Sequence, residues 1–172
     1  NVRRLLNISK KLNDFSRSGN EEMALIRLEQ PVSEALQNVS QEALFRNIRV
    51  EQHMAHDLWI MGNCDQLEQV FANIFLNAAQ AMDGSGELHI SSHRPNPLQV
   101  EVAVRDSGPG IAPGHLARLF EPFFTTKPAG QGTGLGLAIC NEIIIEHGGS
   151  VRAENHPQGG ACFHVTLPLH HS

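Results

Sequence analysis

With 172 residues, 41% of them hydrophobic and 18% charged, the chain has apolar material for one good core and a short appended element. No apolar run approaches the roughly 18 residues that a membrane-spanning helix needs, and the net charge of -5 is spread along the chain, which argues against a nucleic-acid partner. Cys64, Cys140 and Cys162 are an odd number at wide spacing, neither a disulfide framework nor a metal knuckle, and suit a reducing cytoplasm. His53 and His56 have no third convergent ligand in the sequence.

Leu5, Ile8, Leu12 and Phe15 recur at spacings of three and four, between basic residues, as in a heptad seam. The seam covers little more than two heptads, so it reads either as the end of a longer helix packed on a partner or as an amphipathic helix on the domain's own core. The abrupt start at Asn1 suggests a piece of something longer. Ser18, Gly19 and Asn20 read as a stop. Ala24 to Gln30 then reads as extended, and Pro31 sits in the first turn of a helix predicted to run to about Arg46. Strands are predicted at 48–54 and 58–62. Asn63 and Gln66 resemble a capping box that opens a helix through Met82. Further strands are expected at 87–93 and 99–105, then a short helix around 115–120, a loop rich in Gly, Thr and Pro, a helix over about 133–147, and a Gly-broken hairpin to the end. The pattern predicts an α+β fold, a two-layer sandwich with helices on one face of a mixed, mostly antiparallel sheet.

Three stretches invite a chemical reading. Asn73 and Asn77, four apart, stack on one face of the 63–82 helix beside the stripe Leu67, Val70, Phe71, Ile74 and Ala78. Two mid-helix amides need either solvent or a specific partner, and their oxygens suit a hard cation such as Mg2+. In "VRDSGPGIAP", Asp106 ends an apolar strand ahead of Gly108 and Gly110. Taken alone, this is ordinary turn chemistry. In "GQGTGLGLAI", Gly132, Gly134 and Gly136 alternate as a helix opens, which lets backbone N–H groups approach an anion at a helix N-terminus. Neither a P-loop nor a dinucleotide fingerprint is present.

"NIFLNAAQAM", "DSGPGI", "FEPFFTTK" and "GTGLGLAI" occur in that order. Together they resemble the catalytic and ATP-binding domain of bacterial sensor histidine kinases, in the ATPase group that includes gyrase, Hsp90 and MutL. The resemblance spans about Glu21 to Leu169, and the "FFTTK" form is most similar to kinases of the nitrogen-regulation and dicarboxylate-sensor type. It implies a Bergerat-type fold over 20–169, preceded over 1–19 by the end of a dimerisation and histidine-phosphotransfer hairpin, with 170–172 a tail of the kind a tag leaves.

The resemblance implies ATP and Mg2+ as cofactors. Asn77 and Asn73 match the asparagine motif that serves Mg2+. Asp106, Gly108 and Gly110 match the first glycine motif; an ionised Asp106 would accept from the adenine 6-amino group, where guanine presents an oxygen. The two glycines would leave room for the base, and Ile111 would add an apolar contact. Phe120, Phe123 and Phe124 match the phenylalanine motif, with Phe120 read as core and Phe123 or Phe124 as docking on the preceding helices. Thr125, Thr126 and Lys127 begin a lid that continues to Gln131. Gly132, Thr133, Gly134, Leu135, Gly136 and Leu137 match the second glycine motif.

Many relatives carry a basic residue shortly after the second asparagine. This chain has Ala79, Gln80 and Ala81 there, which leaves Lys127 as the cation for the phosphates, unless it is simply a solvated loop lysine. No His-Glu or His-Asp acceptor precedes Asn20. The implied function is phosphoryl donation to a histidine on a hairpin absent from this chain, with a response regulator downstream, a homodimeric parent protein and a cytoplasmic site, the parent being of the kind that can be anchored in the inner membrane. An ATPase or clamp of the gyrase and MutL kind would need an acid near Asn73 to activate water, and the neutral amide argues against it. A nucleotide-free interaction module is the other alternative, against which the intact motifs stand.

Overall fold

The computed structural model describes residues 22–127 and 134–171. The seam at Asn1 to Arg17 lies outside them. Strand β1 (Ala24–Arg27) leads into helix α1 (Glu29–Val39), which buries Pro31, Val32, Ala35 and Val39. The predicted helix to Arg46 stops early. Ser40 bonds back to the Leu36 carbonyl through its backbone N–H (2.9 Å) and its hydroxyl (2.6 Å), and a separate 3-10 turn, Ala43–Phe45, buries Phe45.

Strand β2 (Asn47–His53) and strand β3 (Trp59–Gly62) are neighbours in sequence but not in space. β3 pairs antiparallel with β1 as a separate two-stranded ribbon, whereas β2 pairs parallel with β4 (Ser85–Asn96). The main sheet runs β2-β4-β5-β7-β6, with β5 at Gln99–Asp106, β6 at Ser150–Asn155 and β7 at Ala161–Pro168. Its other pairings are antiparallel.

Helix α2 (Cys64–Ala81) opens on Asn63, whose Oδ1 accepts the Gln66 N–H at 3.0 Å. The Asn63 N–H itself donates to Nε2 of buried His147, whose Nδ1 faces the Ile143 carbonyl at 2.7 Å. That arrangement places the ring proton on Nδ1 and ties the start of α2 to the end of α4 (Gly136–Glu146). Between α2 and α4 in the chain, α3 (Pro113–Leu116) is one turn long.

The core lies between the helices and one sheet face. Leu67, Val70, Phe71, Ile74 and Phe75 of α2 and Ile143 and Ile144 of α4 meet Leu88, Ile90, Val100, Val102, Val104, Val165 and Leu167 from the strands. Strand alternation sends the intervening residues to the other face. There His164 lies between carboxylates, its Nδ1 2.7 Å from Glu101 and its Nε2 2.8 Å from Glu154, with Arg152 and His93 also on Glu101. His93 and His164, distant in sequence, are thus gathered with acids on the helix-free face.

Candidate nucleotide-binding site

Asp106 is the last residue of β5 and is only 3% exposed. Its Oδ1 accepts the N–H groups of Gly108 (2.9 Å) and Ala161 (3.2 Å), and no described residue bonds to Oδ2. Burial pushes its carboxyl above the ordinary range, against the pull of those two N–H groups and of Arg105. One oxygen is therefore fixed by the fold and the other is open to a donor that enters from outside.

The glycines near it lie close against the chain's own groups. A Cβ on Gly108 would lie 3.0 Å from Asp106 Oδ1 and 3.2 Å from the Ala81 carbonyl, so this glycine lets the loop close over the end of α2. Gly110 has φ +81, and a Cβ there would lie 2.8 Å from Asn155 Oδ1. Both glycines therefore make room for the chain's own groups. Asn155 in turn accepts from the Ile111 N–H and donates to the Ile111 carbonyl, both at 2.7 Å. Gly160 presses on Asp106 from the other side: a Cβ would stand 1.9 Å from the Asp106 carbonyl oxygen.

Asn73 and Asn77 are half-buried on α2. The Asn73 amide nitrogen donates to the Cys140 sulfur of α4 at 3.7 Å, which directs that end of the amide into the protein. α2 thus links the asparagines to the Asp106 loop, since its last turn carries the Ala81 carbonyl against which Gly108 packs.

The phenylalanines divide. Phe120 packs against the core, edge-on to Phe163 at 6.4 Å. Phe124 sits on the His115 ring (5.5 Å) and beneath the Arg118 guanidinium (4.6 Å), so it docks on the preceding helical turn. Phe123 does not dock: it is 66% exposed, with φ +67. Its backbone N–H donates to the Gly134 carbonyl at 2.8 Å, and a Cβ on Gly134, itself at φ +69, would lie 2.3 Å from the Phe123 backbone. Close backbone contact therefore joins the two flanks of the segment 124–133. Of the expected lid, Thr125, Thr126 and Lys127 are described, with the Lys127 N–H donating to Thr125 Oγ1 at 3.1 Å. Gly132, Thr133 and residues 128–131 lie outside the described residues. Leu135 is buried ahead of α4, where it occupies the cap position without a side-chain cap, followed by Gly136 and half-buried Leu137.

Residues 62–171 match the family of histidine kinase-, DNA gyrase B- and HSP90-like ATPases. The chain belongs to that family. It is 34% identical over 167 residues to the sensor histidine kinase ZraS of Salmonella typhimurium, an alignment that covers 96% of this chain and 36% of that protein. The chain thus spans about a third of the length of that relative. The nucleotide-free catalytic domain of histidine kinase ThkA superposes with a TM-score of 0.75 at 32% identity, over 86% of this chain and 98% of that one. Full-length ShkA in complex with AMPPNP gives 0.81 at 26% identity, over 98% of this chain and 36% of that one. ThkA in complex with the response regulator protein TrrA gives 0.77 at 27% identity, over 97% and 48%. The chain is an ATP-binding domain of the sensor-histidine-kinase type. Asn155, Gly160 and Ala161 stand outside the motif reading of the site, because an asparagine before His-Pro-Gln-Gly-Gly has the look of turn chemistry alone.

Proposed function

We propose that this chain binds Mg2+ and ATP and donates the γ-phosphoryl group to a histidine on a separate dimerisation hairpin, for relay to a response regulator. The observation that carries the reading is Asp106, a buried carboxylate with one oxygen held by Gly108 and Ala161 and the other without a described partner. An adenine 6-amino group is the donor that fits such an acceptor, and guanine sets an oxygen against it. Asn77 and Asn73 offer amide oxygens to the cation, which suits a hard ion shared with phosphates. When bound, Mg2+ neutralises charge on the phosphates.

The chain's own groups then position rather than react. Asp106 holds the base and Ile111 contacts it, while the glycine motif at the start of α4, Gly134, Leu135, Gly136 and Leu137 with Gly132 and Thr133 before them in sequence, serves the phosphates. Thr125, Thr126 and Lys127 close over them, Lys127 as the cation. No carboxylate stands at position 73 to draw a proton from water, so transfer to an imidazole is favoured over hydrolysis. In this reading residues 1–19 are the end of the hairpin, 20–169 the catalytic domain and 170–172 a tail, and the parent protein is a homodimer whose catalytic domain is cytoplasmic. Among the described residues no helix is long and apolar enough to cross a membrane.

Calorimetric titration of the chain with ADP and with GDP, in the presence and absence of Mg2+, tests the reading. It calls for a strong preference for ADP that Mg2+ strengthens; equal binding of the two bases, or no binding at all, refutes it.

A further inference from the structure

We infer that Asn155 is a positioning residue for base selection: its amide, bonded to both backbone groups of Ile111, holds the 106–111 loop in the shape that presents Asp106 to adenine. The inference rests on the nucleotide reading above. Asn155 is the last residue of β6, and its register partner across the hairpin is Ala161, the first residue of β7. That one cross-strand pair grips the loop at both ends. Ala161 donates to Asp106 Oδ1 at 3.2 Å, while Asn155 takes the Ile111 N–H and returns a bond to the Ile111 carbonyl, each at 2.7 Å.

The side-chain amide matches the donor and acceptor of one backbone residue, much as a neighbouring strand would, and it does so across 44 positions of sequence. The match depends on Gly110, because a Cβ at its φ of +81 would stand 2.8 Å from the Asn155 oxygen. Neither feature is required for a tight β6–β7 turn, which is closed by its own bonds from His156 N–H to the Gly160 carbonyl and from Gly159 N–H to the His156 carbonyl. The clamp therefore serves the loop. With it released, the loop keeps its anchors at Asp106 and at Ser107, whose N–H donates to the Glu87 carbonyl (3.1 Å) and whose hydroxyl accepts the Glu87 N–H (2.9 Å), but its far end loses the Ile111 bonds, so the spacing between Ile111 and the open Asp106 oxygen must be ordered at the moment of binding.

The test is a double-mutant cycle on ADP affinity in the 172-residue chain, with thermal unfolding of each ligand-free variant. Asn155→Ala is expected to weaken ADP binding by about tenfold, the loss of one to two net hydrogen bonds' worth of preorganisation. In the Asp106→Asn background, where the base contact is already gone, the same change is expected to weaken ADP by less than about twofold. An equal tenfold loss in both backgrounds makes Asn155 a general structural residue and overturns the inference, as does unchanged ADP affinity in folded Asn155→Ala. Should Asn155→Ala fail to fold, Asn155→Asp carries the same cycle, since it keeps the size and the acceptor for the Ile111 N–H but sets an oxygen against the Ile111 carbonyl. Absence of ADP binding by the unmutated chain is a separate outcome that overturns the nucleotide reading and this inference with it.

Discussion

Replacing Asp106 with Asn changes one atom's chemistry and almost nothing of its shape. The two N–H groups on Oδ1 can stay where they are, because an amide oxygen accepts them as a carboxylate oxygen does. The amide nitrogen then falls where Oδ2 was, and it confronts the adenine amino group with a donor. The lost contact is a hydrogen bond to a charged acceptor, about 1.5–3 kcal/mol, which predicts ADP binding weaker by roughly 10- to 150-fold. Stability moves the other way. Burial raises the Asp106 carboxyl above its ordinary value, so its contribution to stability is present below the unfolded value of 3.8 and is lost as the pH rises through the folded one. At neutral pH the buried charge opposes folding, and Asp106→Asn is expected to leave the melting temperature unchanged or higher. Calorimetry with ADP and a thermal melt at pH 7 read both quantities. Weak ADP binding with an intact or raised melting temperature is the expected pair; unchanged ADP affinity in a folded variant refutes the assignment of the base contact, and a marked fall in melting temperature refutes the view that the charge is held for binding.

Asn77→Ala is expected to abolish Mg2+-dependent phosphoryl transfer while changing stability by no more than about 0.5 kcal/mol, since the amide is half-buried and leaves no core cavity; normal transfer at saturating ATP removes the cation role. For Glu101, burial works to raise the carboxyl, but the bond and charge of His164, then Arg152 and His93, bring it below 4.5. Its stabilisation is therefore present above pH 4.5 and lost as the pH falls through the lowered value. Glu101→Gln should cost about 1.5–3 kcal/mol at pH 7, with the difference from the parent chain shrinking in acid denaturation curves; a difference that grows in acid contradicts the pairing. Gly160→Ala should destabilise by about 2–4 kcal/mol, from the strain of φ +82 and the collision with the Asp106 carbonyl, and should weaken ADP in the molecules that remain folded; a melt like that of the parent chain shows that the hairpin yields easily.

Much of this site can be read from local pattern. The apolar stripe and Asn63 cap of α2 are short-range features, and Asp106, Gly108 and Gly110 lie within five residues of one another, so their spacing survives in the sequence. What local pattern misses is pairing over distance. Nothing in residues 47–62 tells that β2 joins β4 in parallel while β3 turns to β1, because register is set by faces that meet only after folding. The end of α1 escapes local pattern for a smaller reason: Leu36 to Phe45 keeps some apolar periodicity, and the back-bonding of Ser40 that stops the helix is invisible to it. Asn155 is the most instructive case. Its role depends on Ile111, 44 residues away, and on a glycine whose freedom makes the approach possible.

The central claim, that this chain is a phosphoryl donor whose acceptor lies elsewhere, is tested most directly by incubating it with Mg2+ and γ-labelled ATP, alone and with the separately supplied hairpin of the parent protein. The account predicts little or no label on the 172-residue chain itself, and acid-labile phosphohistidine on the hairpin that forms slowly and faster with hairpin concentration, as an untethered acceptor requires. Stoichiometric acid-labile phosphate on the isolated chain would make one of its own histidines the acceptor, and an unlabelled hairpin beside an ATP-bound chain would contradict the phosphoryl-donor reading outright.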